Sequence, residues 1–306
     1  MKLITNSDPI LVTGSHRSGT TWVGKILALS PHTYYLGEIF NPEINLLDES
    51  VLKTWFRYIS VDEGEKSEIY PHLLQIFQYR FRWPYREGWR RFLPSRLNII
   101  KHTRRWLNWP IPIMKDPIAS MSAEWLAKSF GMQVLCLVRH PAAFVYSLIR
   151  AGWGFPRRSF LNQPQLIEDH LHPYLPKLVD PPNNKIEQSA LLWLCIYKVI
   201  STYIKRNQEW LVIRLEDISD DPISEFERIY NHFQLPYTGR IKKGVNRTSS
   251  RKNPTEAPTS DPSLIHRNSA ATQKVWRNKL TEDQIYCIRE IVEEVSCQYY
   301  SETDWL

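Results

Sequence analysis

Arg17 stands inside a short glycine-bounded stretch, Gly14-Ser15-His16-Arg17-Ser18-Gly19, which runs into Thr20, Thr21 and Trp22. Backbone N–H groups in such a loop, and at the start of a following helix, lack intrahelical partners. The helix dipole adds positive potential, so the place suits an anion. Gly14 and Gly19 keep the GxxxxG spacing of a nucleotide phosphate loop, but Thr20-Thr21 follow where a triphosphate loop carries Lys and then Ser or Thr. The cation has moved into the loop as Arg17. An enzyme that cleaves a nucleoside triphosphate also needs a strand-end Asp to help hold magnesium. The most apolar segment here, Gln133–Val138, ends in Arg139 instead. Asp116 does follow another apolar segment, so a kinase using ATP and magnesium is the rival reading. The set of groups fits a metal-free anionic donor better.

Arg139 is a second cation of the same kind. A guanidinium at a strand end can fork onto a phosphate, and Ser147, eight residues on, adds a hydroxyl. Glu38 follows the apolar segment Thr33–Leu36, at the end of a strand where ligands gather in parallel sheets. It is the candidate general base, and the plain alternative is a surface or salt-bridged carboxylate. Lys115 ends a third apolar segment and could reach the reacting group or pair with Asp116. His16 and His140 are the fallback bases.

Arg17-Ser18-Gly19-Thr20-Thr21-Trp22 resembles the 5'-phosphosulfate loop of the sulfotransferases that use 3'-phosphoadenosine-5'-phosphosulfate (PAPS). Leu135–Val138 with Arg139 and Ser147 resembles that family's 3'-phosphate motif. Met114-Lys115-Asp116-Pro117 and Gly37-Glu38 resemble segments of the tyrosylprotein and related branches. Val275-Trp276-Arg277 ahead of Leu280-Thr281 resembles a Trp-Arg…Leu segment of bacterial and carbohydrate members. The resemblance implies a sulfuryl transfer from PAPS to an acceptor hydroxyl or amine, releasing adenosine 3',5'-bisphosphate, with no metal. It implies Arg17, Glu38 and Lys115 at the chemistry. It places Arg17, Ser18, Gly19, Thr20, Thr21, Trp22, Arg139, Ser147, Trp276 and Arg277 on the nucleotide, with Trp22 near the adenine. Residues 46–109 and 151–210 carry no such match, and the Arg-Lys-Gly motif of the steroid and phenol branch is missing. A catalytically dead binding protein of the same fold is the alternative from another class.

Strands and helices must alternate to position these groups. The expected strands are Ile10–Thr13, Thr33–Leu36, Ile111–Met114, Gln133–Val138 and Trp210–Leu215. Helices are expected near 20–29, 117–130, 141–150, 187–208, 222–233 and 281–297, the last capped by Thr281 with Glu282 and Asp283 in its first turn. This alternation predicts an α/β fold: a central parallel sheet of about five strands flanked by helices, P-loop-like, with helical insertions. The chain reads as a single domain over residues 1–306. It carries an aromatic and basic helical insertion at about 46–109 and a mobile loop at about 242–262. Glu216 and Arg214 are expected to be structural.

The 306 residues are enough for a large core, and 39 Lys and Arg against 32 Asp and Glu give +7, a bias towards anionic ligands. Residues 80–105 hold nine of those cations interleaved with Trp and Tyr. They read first as a solvated face, next as a groove for an anionic or sugar acceptor, and last as a peripheral membrane or nucleic-acid contact. With no nucleic-acid motif present, no such partner is expected. Four cysteines without a CxxC pair, and no apolar run of signal or membrane length, point to the cytoplasm. The acceptor is expected to be a carbohydrate, glycolipid or small metabolite. Oligomeric state leaves no trace in the sequence.

Overall fold

Five strands pair side by side, all parallel, in the order β2-β3-β1-β4-β5 in a computed structural model of the chain. The structure describes residues 8–44, 52–77, 110–258 and 264–306. The strands are β1 (Ile10–Gly14), β2 (Thr33–Leu36), β3 (Ile111–Lys115), β4 (Gln133–Val138) and β5 (Leu211–Arg214). The expected strands thus hold to within a residue at each end.

Neighbours along β4 pack on opposite faces. Val134, Cys136 and Val138 join the core beneath the long helix Lys185–Arg206. Leu135 and Leu137 join a second core with Trp22, Ile26, Phe226 and Ile229. A strand covered on both faces has no reason to alternate apolar with polar, which is why Gln133–Val138 reads as an unbroken apolar run. The two faces hold the helices that follow β1 and β4 on opposite sides, as in a doubly wound sheet.

Register brings the strand ends together. Gly14 lies across from Leu137, Val12 from Lys115, and Leu36 from Met114. The carboxyl ends of β1, β2, β3 and β4 therefore share one edge, and the segments after them carry Arg17, Glu38, Lys115 and Arg139.

One expectation fails. Residues 242–249, read as part of a mobile loop, belong to the helix Gly239–Ser249. Its buried side chains are Ile241, Val245 and Thr248, at spacings of four and three residues. That narrow stripe is masked by the Lys, Arg and Asn on the other faces. Within the expected insertion, a short 3₁₀ stretch (Val61–Lys66) and the helix Tyr70–Phe77 are helical. The basic aromatic stretch 80–105 lies outside the described residues. Thr281 caps the helix Glu282–Ser296 as expected, in a capping box with Gln284.

Candidate active site

The turn after β1 is unusual in its backbone. Gly14 and Gly19 take φ values of 134° and 87°. A Cβ on Gly14 would lie 2.2 Å from the Leu137 carbonyl oxygen, so only glycine lets β1 and β4 approach this closely. Arg17 also has a positive φ, 66°, uncommon for a residue with a side chain and worth strain. Its guanidinium is turned towards the helix Pro141–Ala151, where Arg17 Nε donates to Ser147 Oγ at 3.0 Å.

Arg139 closes the arrangement from the other strand. Its Nη1 donates to the Arg17 carbonyl oxygen at 2.7 Å. The two cations expected at opposite ends of one nucleotide therefore meet in one site. The long helix braces both from beneath. Trp193 Nε1 donates to the Arg139 carbonyl at 2.9 Å, and one turn on, the Tyr197 hydroxyl donates to Leu137 O while accepting from Ser15 N.

This edge of the sheet opens into a cavity of about 720 Å³, within the roughly 300–1,000 Å³ of small-molecule sites. Arg17, Gly19, Thr20, Thr21, Trp22 and Arg139 line it. Arg267 lines it too, from a segment that carried no signal in the sequence. Burial, then the like charges of Arg139, Arg267 and Arg150, push the Arg17 pKa down to about 10. Arg139 is 6% exposed, burial lowers its pKa, and its Nε has no hydrogen-bond partner among the described residues. Crowded guanidinium groups, one with an orphaned buried donor, form a donor set with an anion's chemistry.

Glu38 lines the same cavity. Its Oε1 accepts from Lys115 Nζ in a direct ion pair, and its Oε2 accepts from Asn41 Nδ2 at 2.8 Å. Lys115 therefore pairs with Glu38 rather than with Asp116. Asp116 is wholly buried and accepts from the backbone N–H groups of Phe40, Ile118 and Ala119. Burial pushes its pKa up to about 7, partly offset by those amides. It thereby fixes the turn that presents Glu38.

Several expected ligands are elsewhere. Ser18 is fully buried, and both its N–H and its hydroxyl donate to Ser15 O, closing the turn. Ser147 is not in the cavity wall and orients Arg17 instead. Trp276 and Arg277, expected on the nucleotide, are not in the wall either. The Trp276 ring stacks on His140 at 4.7 Å, and Arg277 lies over Trp276 and donates to Asp304 O. Trp22 has two roles: it lines the cavity, and its Nε1 donates to Thr248 Oγ1 at 2.9 Å against Phe226. His140 is caged by Trp276, Tyr300 and Trp305, and burial drops its pKa to about 3. It is out of reach as a base. His16 does line the cavity, but burial and then Arg17 lower its pKa to about 3 as well. Glu216 is structural as expected, accepting from His140 N and the Tyr300 hydroxyl. Arg214 likewise pairs with Asp217 and Asp304.

A cationic cavity at the carboxyl edge of a doubly wound parallel sheet suits the binding of anionic groups. The profile of the sulfotransferase family matches residues 9–239, and the chain belongs to that family. It is a transferase of sulfo groups, which implies a sulfuryl donor. Among solved structures, the sulfotransferase domain from the curacin biosynthetic pathway is 14% identical, with a TM-score of 0.52, covering 96% of this chain and 98% of that one. The sulfotransferase domain of the Synechococcus PCC 7002 olefin synthase is 15% identical, with a TM-score of 0.48, covering 94% and 95%. A mouse sulfotransferase complexed with PAP is 14% identical, with a TM-score of 0.44, covering 97% and 86%. No curated protein matches the sequence. Among the described residues no helix is long and apolar enough to cross a membrane.

Proposed function

We propose that the chain transfers a sulfuryl group from PAPS to the hydroxyl of a small acceptor and releases adenosine 3',5'-bisphosphate. The observation that carries this is the gathering of Arg17, Arg139 and Arg267 at one cavity, with the Arg139 guanidinium donating to the Arg17 carbonyl. Like charges gathered at a cavity favour a ligand with several negative groups, as a doubly phosphorylated nucleotide has. Arg17 and the amides from Gly19 to Thr21 would hold the 5' end. Arg139 and Arg267 would hold the rest of the charge, and Trp22 would offer its face to the base. PAPS supplies a sulfuryl group on a phosphate leaving group.

Glu38 is the base. Lys115 holds one carboxylate oxygen and Asn41 the other, so the carboxylate is kept in one orientation. Glu38 and Arg17 line the same cavity, which supports a base beside the acceptor and a cation beside the departing phosphate. Four free cysteines support a reducing compartment, and with it a cytoplasmic location.

Calorimetry with adenosine 3',5'-bisphosphate, with and without EDTA, tests the donor assignment. Binding that is unaffected by EDTA, together with labelled-sulfate transfer from PAPS, is expected. Binding of ATP with magnesium and none of the bisphosphate would overturn it.

A further inference from the structure

The peptide between Arg139 and His140 is held at both of its polar groups. Its carbonyl accepts from Trp193 Nε1 at 2.9 Å. Its N–H, on His140, donates to Glu216 Oε1 at 3.0 Å. A peptide unit is planar and stiff, so pinning both groups fixes the backbone angle from which the Arg139 side chain leaves the strand end. Nη1 of that side chain is tied to Arg17 O at 2.7 Å. Arg139 is therefore held at its root as well as at its tip.

Glu216 reaches this peptide through the sheet register. Arg214, at the end of β5, lies across from Val138, at the end of β4. Two residues further on, Glu216 stands in the first turn of the short helix Leu215–Asp220. Its second oxygen, Oε2, accepts from the hydroxyl of the buried Tyr300 at 2.9 Å. A carboxylate with a separate donor on each oxygen is confined to one orientation.

Tyr300 is itself anchored. Its ring meets the His140 ring edge-on at 4.8 Å. Arg214 Nη1 donates to Tyr299 O at 3.3 Å and to Asp304 Oδ1 at 3.1 Å. Arg277 Nη2 donates to Asp304 O at 3.2 Å, and Trp276 stacks on His140. Trp276 and Arg277, expected on the nucleotide, thus belong to the frame that holds Glu216. Glu216 and Tyr300 stand outside the cavity wall, whereas Arg139 is in it.

We infer that Glu216, oriented by the Tyr300 hydroxyl, is a positioning residue for donor binding: it fixes the Arg139–His140 peptide and so sets the Arg139 guanidinium where a phosphate of the donor must fall. This rests on the PAPS reading above. On that reading Arg139 takes the 3'-phosphate, as the resemblance of its segment implies. Outlying partners of this kind matter because a binding group is only as exact as the shell that supports it.

The test compares adenosine 3',5'-bisphosphate with adenosine 5'-phosphate, which lacks the group assigned to Arg139, by calorimetry on the full chain. The wild type should prefer the bisphosphate by roughly 10- to 150-fold, the equivalent of one charged hydrogen bond. Tyr300→Phe keeps the ring and removes the hydroxyl. It should cut that preference by about three- to tenfold and leave the Kd of adenosine 5'-phosphate within about twofold. Glu216→Ala should cut it further. Glu216→Gln should recover most of it, because its amide can still accept from His140 N and meet the Tyr300 oxygen. A role confined to stability would lower the Tm of these variants and leave the preference alone. An unchanged preference in Tyr300→Phe, whatever its Tm, overturns the inference while the donor assignment stands. Tyr300→Phe decides by itself if Glu216→Ala does not fold. A wild type that binds the two nucleotides equally overturns the assignment of Arg139 to the donor and this inference with it.

Discussion

Glu38 and Lys115 form an ion pair at the cavity wall, and that pairing decides what each can do. A carboxylate held by an ammonium stays aimed, which suits a base but leaves Lys115 with less freedom to follow a moving sulfonate. Glu38→Gln should lower kcat by roughly 10²- to 10⁴-fold with little change in bisphosphate binding by calorimetry. An unchanged kcat would reduce the pair to a structural ion pair. Arg139→Ala acts on the other side. It removes a buried cation and the donor to Arg17 O, so bisphosphate Kd should rise roughly 10- to 150-fold, the equivalent of one charged hydrogen bond. At this scale the sequence was legible in naming Arg17, Arg139 and Glu38, which the fold brings to one cavity. It misled where depth mattered. Ser18 and Trp276 occupy the expected positions along the chain, but Ser18 faces inward and Trp276 stacks on His140.

The turn after β1 was readable because six contiguous residues contain it. Its glycines are required by contact as well as by conformation. Gly14→Ala would place a methyl 2.2 Å from the Leu137 carbonyl oxygen. At φ 134° it would also carry strain of about 1–3 kcal/mol. The expected result is loss of bisphosphate binding with a lowered Tm, checked by calorimetry and thermal unfolding. Retention of wild-type affinity would mean the loop can re-form without the close approach of β1 and β4. Other parts of the site come from elements far apart in sequence. Tyr197 meets Ser15 across 182 positions, and Arg267 reaches the cavity from beyond the helix Gly239–Ser249. No local pattern announces either, since each is one polar residue whose meaning depends on the sheet bringing distant segments to one edge. The helix Gly239–Ser249 itself escaped because three buried side chains among eleven residues are a thin signal inside a basic, polar composition.

Across the whole molecule, burying ionisable rings makes stability depend on pH. An unfolded imidazole takes a proton as pH falls below about 6.5. In the native chain, His16 and His140 are held to about 3 by burial. Between those values the unfolded state binds more protons, so stability is lost as pH falls through the window. Each histidine accounts for about 2 kcal/mol by pH 5. Asp116 works the opposite way. Its carboxyl is raised to about 7, so its contribution weakens stability as pH rises from about 4 to 7, and two imidazoles outweigh it. His140 gives a clean way to see this. Neither of its ring nitrogens has a hydrogen-bond partner among the described residues, and it is enclosed by Trp276, Tyr300 and Trp305 away from the cavity wall. A phenyl ring would fill the same cage without a proton to take up. His140→Phe should therefore unfold near the wild-type Tm at pH 7, and lose fewer degrees than wild type between pH 7 and pH 5. Thermal unfolding at matched ionic strength reads the difference directly. An identical slope in the two proteins would mean that the cage opens to water before His140 titrates.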